Sequence, residues 1–148
     1  MLKKNLFVAI AICIFASCEN DKAPTIVASE NAPEAIGPYS QAIKAGNLVF
    51  CSGQIGLSPE TGDFSGDDIS SQTKQVLQNL EAVLQAAGSG LSEVVKVTIF
   101  LADINDYATV NKIYDSYFAD IKPARSTVAV SALPKGALIE IECIAVVK

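Results

Sequence analysis

The sequence has no histidine, no tryptophan and one methionine, and among its 148 residues a single arginine, Arg125, stands against ten lysines. Each scarcity excludes something. Without histidine there is no Ser-His-Asp triad, no Cys-His nucleophile pair and no His-ligated zinc. A base working near neutral pH must then be a carboxylate, a perturbed lysine or tyrosine, or the substrate itself. Cysteine is sparse, at positions 13, 18, 51 and 143. Of these, Cys51 and Cys143 are too few for a structural zinc site. Both sit in apolar runs, where buried free thiols and a disulfide remain equally open. No cluster of Lys and Arg offsets a net charge of −5, so no nucleic-acid partner is expected. No metal and no cofactor are expected either.

Long hydrophobic runs are also missing, with one short exception. "MLKKN" is a basic opening and "LFVAIAICIFA" an apolar run of eleven, too short to span a bilayer comfortably and of the length of a secretory core segment. "FASC" and the polar switch "ENDKAP" follow. Small residues before a cysteine resemble the lipobox of bacterial lipoproteins, with Phe15 in place of the usual leucine. The expectation is a signal peptide over 1–17, a lipidated Cys18 with a short tether over 18–24, and one domain over 25–148. Two or three acyl chains on Cys18 would anchor the protein stably. It would then be an exported, membrane-anchored lipoprotein. An ordinary signal peptide cleaved nearby is the alternative. Removing 17 of the 148 residues leaves 131, enough for one domain with a real core. Sixteen acidic residues against nine basic ones then give a charge of −7.

"TIVAS" and "NLVFCSGQIGL" read as strands, with "SPETG" as a turn. From Ile69, the positions Val76, Leu77, Leu80, Val83, Leu84 and Ala87 follow helical spacing, capped by Asp67 or Asp68 and ended by Gly88. "EVVKVTIFLAD" is a strand. Val110, Tyr114, Tyr117 and Phe118 mark a second amphipathic helix, closed by Pro123. "RSTVAVSAL" and "ALIEIECIAVV" are final strands joined across "PKG". Strands alternating with two helices give an α+β domain, a mixed sheet with both helices on one face.

Alternation then predicts what the other face carries. Glu140 and Glu142 share one side of the last strand, opposite Ile139, Ile141 and Cys143. Arg125 and Thr127 share one side of the strand before, opposite Ser126, Val128 and Val130. With apolar residues under the helices, the open face is expected to carry Arg125, Thr127, Glu140 and Glu142. A simple hairpin of these strands would set Glu140 opposite about Ser131, roughly 20 Å from Arg125 at strand rise. One small molecule could touch both only if the strands are differently ordered or a second subunit supplies one group. Arg125 itself has two readings: a fork for a carboxylate or phosphate, or a structural ion pair at a strand end.

"ENAPEAIGPYSQAIKAGNLVFCSGQIGLSPETG", "NDYATVNKIYDSYF" and "PARSTVAVSALPKGALIEIECIAV" together resemble the RidA/YjgF reactive-intermediate deaminases, from about Thr25 to Val147. The resemblance implies a chorismate-mutase-like α+β fold and a homotrimer with clefts between subunits. It implies hydrolysis of 2-imino acids such as 2-iminopropanoate and 2-iminobutanoate to 2-keto acids and ammonia. On it, Arg125 matches the clamp for the substrate carboxylate and Glu140 the acid that orients or deprotonates water. Tyr39 matches a cleft-lining tyrosine, Ser52 and Gly53 the loop beside the imine nitrogen, and Asn111 and Thr127 further walls. Family members often carry cysteine where Thr127 stands. Read singly, Tyr39 is equally a turn-packing residue, Ser52-Gly53 a bulge and Asn111 a helix-surface residue. A lipid-anchored module that binds small carboxylates without physiological turnover is the alternative function.

Overall fold

The computed structural model describes residues 23–147; the expected signal peptide and Cys18 lie outside them. Six strands form one sheet, β1 Thr25–Val27, β2 Ala42–Ala45, β3 Leu48–Ile55, β4 Val94–Leu101, β5 Ala124–Ala129 and β6 Ile139–Val146, in the order β1-β2-β3-β6-β4-β5. Two helices, α1 Ile69–Ala86 and α2 Tyr107–Phe118, complete the domain. The sequence reading has no strand at Ala42–Ala45, a segment of only four residues.

The connections explain why both helices share a face. β3 and β4 both run antiparallel to β6, and β4 runs parallel to β5. Thus α1 carries the chain from β3 past β6 to β4, and α2 carries it from β4 to β5. Two successive crossovers moving the same way, each right-handed as such units are, put their helices on one side. Val76, Leu77, Leu80, Val83 and Leu84 of α1 pack there against Val49, Val97, Ile99, Ile139 and Ile141. A fully buried Leu or Val contributes about 1.5–3 kcal/mol, so this layer is the fold's main support.

Local signals fix the ends of α1. Asp68 is the cap: its carboxylate accepts from the Ser70 and Ser71 amides at 2.8 and 3.0 Å, satisfying otherwise orphaned donors. At the other end Gly88 adopts φ +77°. The Ser89 amide donates to Leu84 at 2.9 Å and the Gly88 amide to Gln85 at 3.0 Å, a paired closure that needs a left-handed residue. Helix α2 stops at Phe118, five residues before Pro123.

The expected common face fails, and the last strands take the different order left open above. β5 and β6 are not a hairpin; β4 lies between them. Register then decides the faces: Arg125 pairs with Val97, which pairs with Cys143, and Thr127 pairs with Ile99, which pairs with Ile141. Arg125 and Thr127 therefore lie in the rows that face the helices, whereas Glu140 and Glu142 lie on the open side. The predicted common face does not exist. The cause is that β5 is an edge strand, free to leave its apolar side chains uncovered: Val128 is 45% exposed.

Candidate functional site

The residues singled out from the sequence fall into two groups on opposite faces. On the open face, β3 and β6 stay in step from Leu48 to Cys51, then slip by one residue before Gln54, so Ser52-Gly53 is a β-bulge. A bulge re-aims the local side chains. Ser52 uses both its donors to hold the preceding segment, its hydroxyl to the Ser40 carbonyl at 2.6 Å and its amide to the Gln41 carbonyl at 3.0 Å. Gly53 leaves room for Glu140: a Cβ there would collide with the Glu140 carboxyl. The bulge reading of Ser52-Gly53 holds, and the bulge sets both residues beside Glu140.

Glu140 opens on a cavity of about 240 Å³ lined also by Ile36, Tyr39, Ile55 and Pro134. Burial, and then the neighbouring Glu142, push its carboxyl above the ordinary Glu value. Both causes disfavour the anion. Tyr39 enters on a loop, its hydroxyl accepting from the Ile36 amide at 3.3 Å. That loop is pinned by Gln41, which is 6% exposed. Its side-chain amide donates to the carbonyls of Ser29, Ala32 and Pro33 at 3.2, 3.3 and 2.7 Å, and its oxygen accepts from the Ser29 amide at 2.6 Å. Ile36, Pro134 and Gln41 were not picked out from the sequence; Gln41 stands in the GPY-x-Q stretch and was the most discoverable.

The second group lies under the edge strand. Arg125 Nη2 donates to Asn111 Oδ1 at 2.7 Å and to the Tyr107 hydroxyl at 3.2 Å. Its Cζ stands 4.5 Å from the centre of the Tyr114 ring. Among the described residues its hydrogen-bond partners are both neutral, and no ion pair holds it. A cavity of about 340 Å³ borders it, between the end of α2 and Pro123. Thr127, two residues along, has its hydroxyl oxygen buried without a hydrogen-bond partner. Tyr107, Asn111 and Tyr114 were separable from the sequence as one helix stripe, at spacings of four and three.

One copy does not bring the groups together. β5 is two strands from β6, and Arg125 is three residues out of line with Glu140. The backbones are thus roughly 14 Å apart, with the side chains on opposite faces. A larger concavity, about 750 Å³ between α1 and α2 beside Lys74 and Lys112, contains none of these residues.

A mixed sheet with all its helical mass on one side, and an acid and an arginine divided between its faces, defines the class of small α+β domain. The sequence matches the Endoribonuclease L-PSP family profile over residues 29–147. The chain belongs to that family, the RidA/YjgF family of the sequence resemblance. It is 58% identical over 120 residues to Reactive Intermediate Deaminase A, chloroplastic, of Arabidopsis thaliana, covering 81% of this chain and 64% of that protein. With the 2-iminobutanoate/2-iminopropanoate deaminase of Homo sapiens it shares 46% over 121 residues, covering 82% and 88% of the two. The crystal structure of the YjgF gene product from E. coli superposes with a TM-score of 0.80 at 46% identity, covering 84% of this chain and 99% of that one.

Proposed function

We propose that the protein hydrolyses 2-imino acids, of the 2-iminopropanoate and 2-iminobutanoate kind, to 2-keto acids and ammonia. Relatives named as deaminases at 46–58% identity support the reaction. The observation within the molecule that carries the reading is Arg125: a charged fork held by neutral partners only, ready for a carboxylate. Glu140 supplies the base. A protonated imine carbon is already electrophilic; water attacks it as Glu140 takes the water's proton, Glu140 returns that proton to the amine nitrogen of the carbinolamine, and ammonia leaves as the hydroxyl proton is released and the keto group forms. Positioning and one carboxylate suffice for useful acceleration. The raised affinity of Glu140 for protons suits a base, because proton transfer improves as the base approaches the working pH. Tyr39, Ser52 and Gly53 wall the Glu140 side, and Asn111 and Thr127 the Arg125 side.

The reading requires a second copy. Since Arg125 and Glu140 lie on opposite faces, a homotrimer that sets the β5 edge of one subunit against the open sheet face of the next would complete each site. Phe50 and Val128, 43% and 45% exposed there, are the sort of apolar surface such contact covers. The family profile's own description is an endoribonuclease; a chain with no histidine and a net charge of −5 is poorly equipped for that chemistry. Export and anchoring through a lipid on Cys18 complete the proposal, resting on the "FASC" stretch. Among the described residues no helix is long and apolar enough to cross a membrane. Membrane fractionation of the parent and Cys18→Ser proteins tests the anchor. The catalytic part is tested by ammonia release from freshly generated 2-iminopropanoate. Release above the buffer rate is expected; binding of 2-ketobutyrate without any release would leave only a carboxylate-binding module.

A further inference from the structure

Arginine side chains lose much rotamer freedom when they bind, so an arginine that clamps a small anion gains from being held beforehand. The surroundings of Arg125 do this with neutral groups. The Arg125 Cζ stands over the Tyr114 ring, 4.5 Å from its centre, and 5.9 Å from the centre of the Tyr107 ring. The Tyr107 hydroxyl and Asn111 together take both hydrogens of one terminal nitrogen, at 3.2 and 2.7 Å. Tyr114 is itself fixed, 6% exposed and stacked on Phe118 at 4.4 Å. Its hydroxyl is buried without a partner. As a core filler, phenylalanine would serve better there, since an unpaired buried hydroxyl is a cost. What the position supplies to Arg125 is a ring face.

We propose that Tyr107 and Tyr114 are positioning residues for Arg125: they hold the guanidinium by a ring face and one hydroxyl contact on Nη2, leaving Nε–H and Nη1, on different sides of the group, to meet a substrate carboxylate by single charge-assisted bonds. The inference deepens the clamp reading and rests on it for its carboxylate. Neither tyrosine is asked to touch substrate. The Tyr114 ring covers one face of the guanidinium, so the carboxylate must arrive near its plane, at Nε–H or at Nη1. An ion pair would have held the fork as firmly, but would have neutralised it.

Because Arg125 is the only arginine, its Nε–H gives a single side-chain resonance in the purified protein, and that resonance reports the stacking without any ligand. It is expected to be rigid and displaced by the ring, and Tyr114→Leu should return it to the free-arginine position with high mobility. A signal that is mobile in the parent, or unmoved by Tyr114→Leu, overturns the proposal. Calorimetric titration with 2-ketobutyrate supplies the second arm. Tyr114→Leu should weaken binding about three- to tenfold, whereas Tyr114→Phe, which keeps the ring, should stay within about twofold. In the Arg125→Lys background Tyr114→Leu should make less than about a twofold further difference. Equal losses in both backgrounds would mean a general packing role and would also overturn it. Should Tyr114→Leu not fold, Tyr107→Ala, at a 44% exposed position, carries the same comparison. If the resonance behaves as expected but 2-ketobutyrate does not bind the parent, the clamp reading fails and only the held guanidinium stands.

Discussion

The two sides of the sheet build their pockets by different means. Around Glu140 the backbone does the shaping: a bulge at Ser52-Gly53, a glycine where a Cβ would collide with the carboxyl, and a loop pinned by Gln41 to three carbonyls. Around Arg125 side chains do it: two tyrosines and an asparagine from one stripe of α2. The electrostatics differ as well. Burial and Glu142 push the Glu140 carboxyl toward its neutral form, whereas Arg125 is hydrogen-bonded to neutral groups and borders a cavity that Asp115 and Lys122 also line. Within one copy, each pocket therefore holds a group that lacks its natural counterpart. The acid and the arginine of one copy are kept apart on opposite faces, so that they cannot pair with one another; on the proposed reading, a second copy brings them together.

The sharpest way to break this account is at the base. Glu140→Gln keeps the shape and removes the proton acceptor. Imine hydrolysis should fall about 10²- to 10⁴-fold while 2-ketobutyrate binding survives; a variant of near-parental rate would contradict the base assignment. Next comes the clamp. Arg125→Lys replaces a fork by a point charge, and loss of about 1.5–3 kcal/mol should weaken 2-ketobutyrate roughly ten- to a hundredfold. Unchanged affinity, checked by calorimetry, would return Arg125 to a structural role. Gly53→Ala tests the backbone-built pocket alone: the new Cβ must displace the carboxyl, and turnover should drop about tenfold with binding at the Arg125 side little altered.

The smallest effects concern pH. Because the Glu140 carboxyl is raised, its base form fills only above the ordinary Glu value of 4.5, so the acid limb of the rate profile should lie above 4.5. Glu142→Gln should move that limb toward acid by less than burial has moved it away, since burial is the larger cause. The sign for stability follows from the same shift. A raised folded value contributes stability that is full below the unfolded value and is lost as pH rises through the folded one. Glu140→Gln should therefore raise the melting temperature at neutral pH, and the gain should vanish on acidification below about 4.5. A gain that persists in acid would point to packing instead.

How much of the molecule is legible in its sequence depends on whether a residue's environment is set nearby in the chain. The α1 stripe, its Asp68 cap and the Gly88 stop all follow from spacings within one helix, and all were readable. So was the alternation of β6, a central strand whose apolar side must face the core. The face of Arg125 was not, because it depends on the register with β4 and on β5 being the edge, neither of which alternation encodes. An edge strand can leave Val128 in the open and turn Arg125 inward, the reverse of the hydrophobic expectation. The family resemblance points to Arg125 and Glu140 whatever the fold, since motifs mark positions in the chain and not faces of a sheet.

The central claim is that each working site takes Glu140 from one copy and Arg125 from another. Subunit mixing tests it most directly. Glu140→Gln protein and Arg125→Ala protein, each inactive alone, are denatured together in equal amounts, refolded and assayed for ammonia release from 2-iminopropanoate. Random assembly leaves about a quarter of the sites with both groups intact if they come from neighbouring subunits, so about a quarter of the parental activity should return. Were both groups drawn from one copy, every site would lack one of them, and the mixture would stay as inactive as its components.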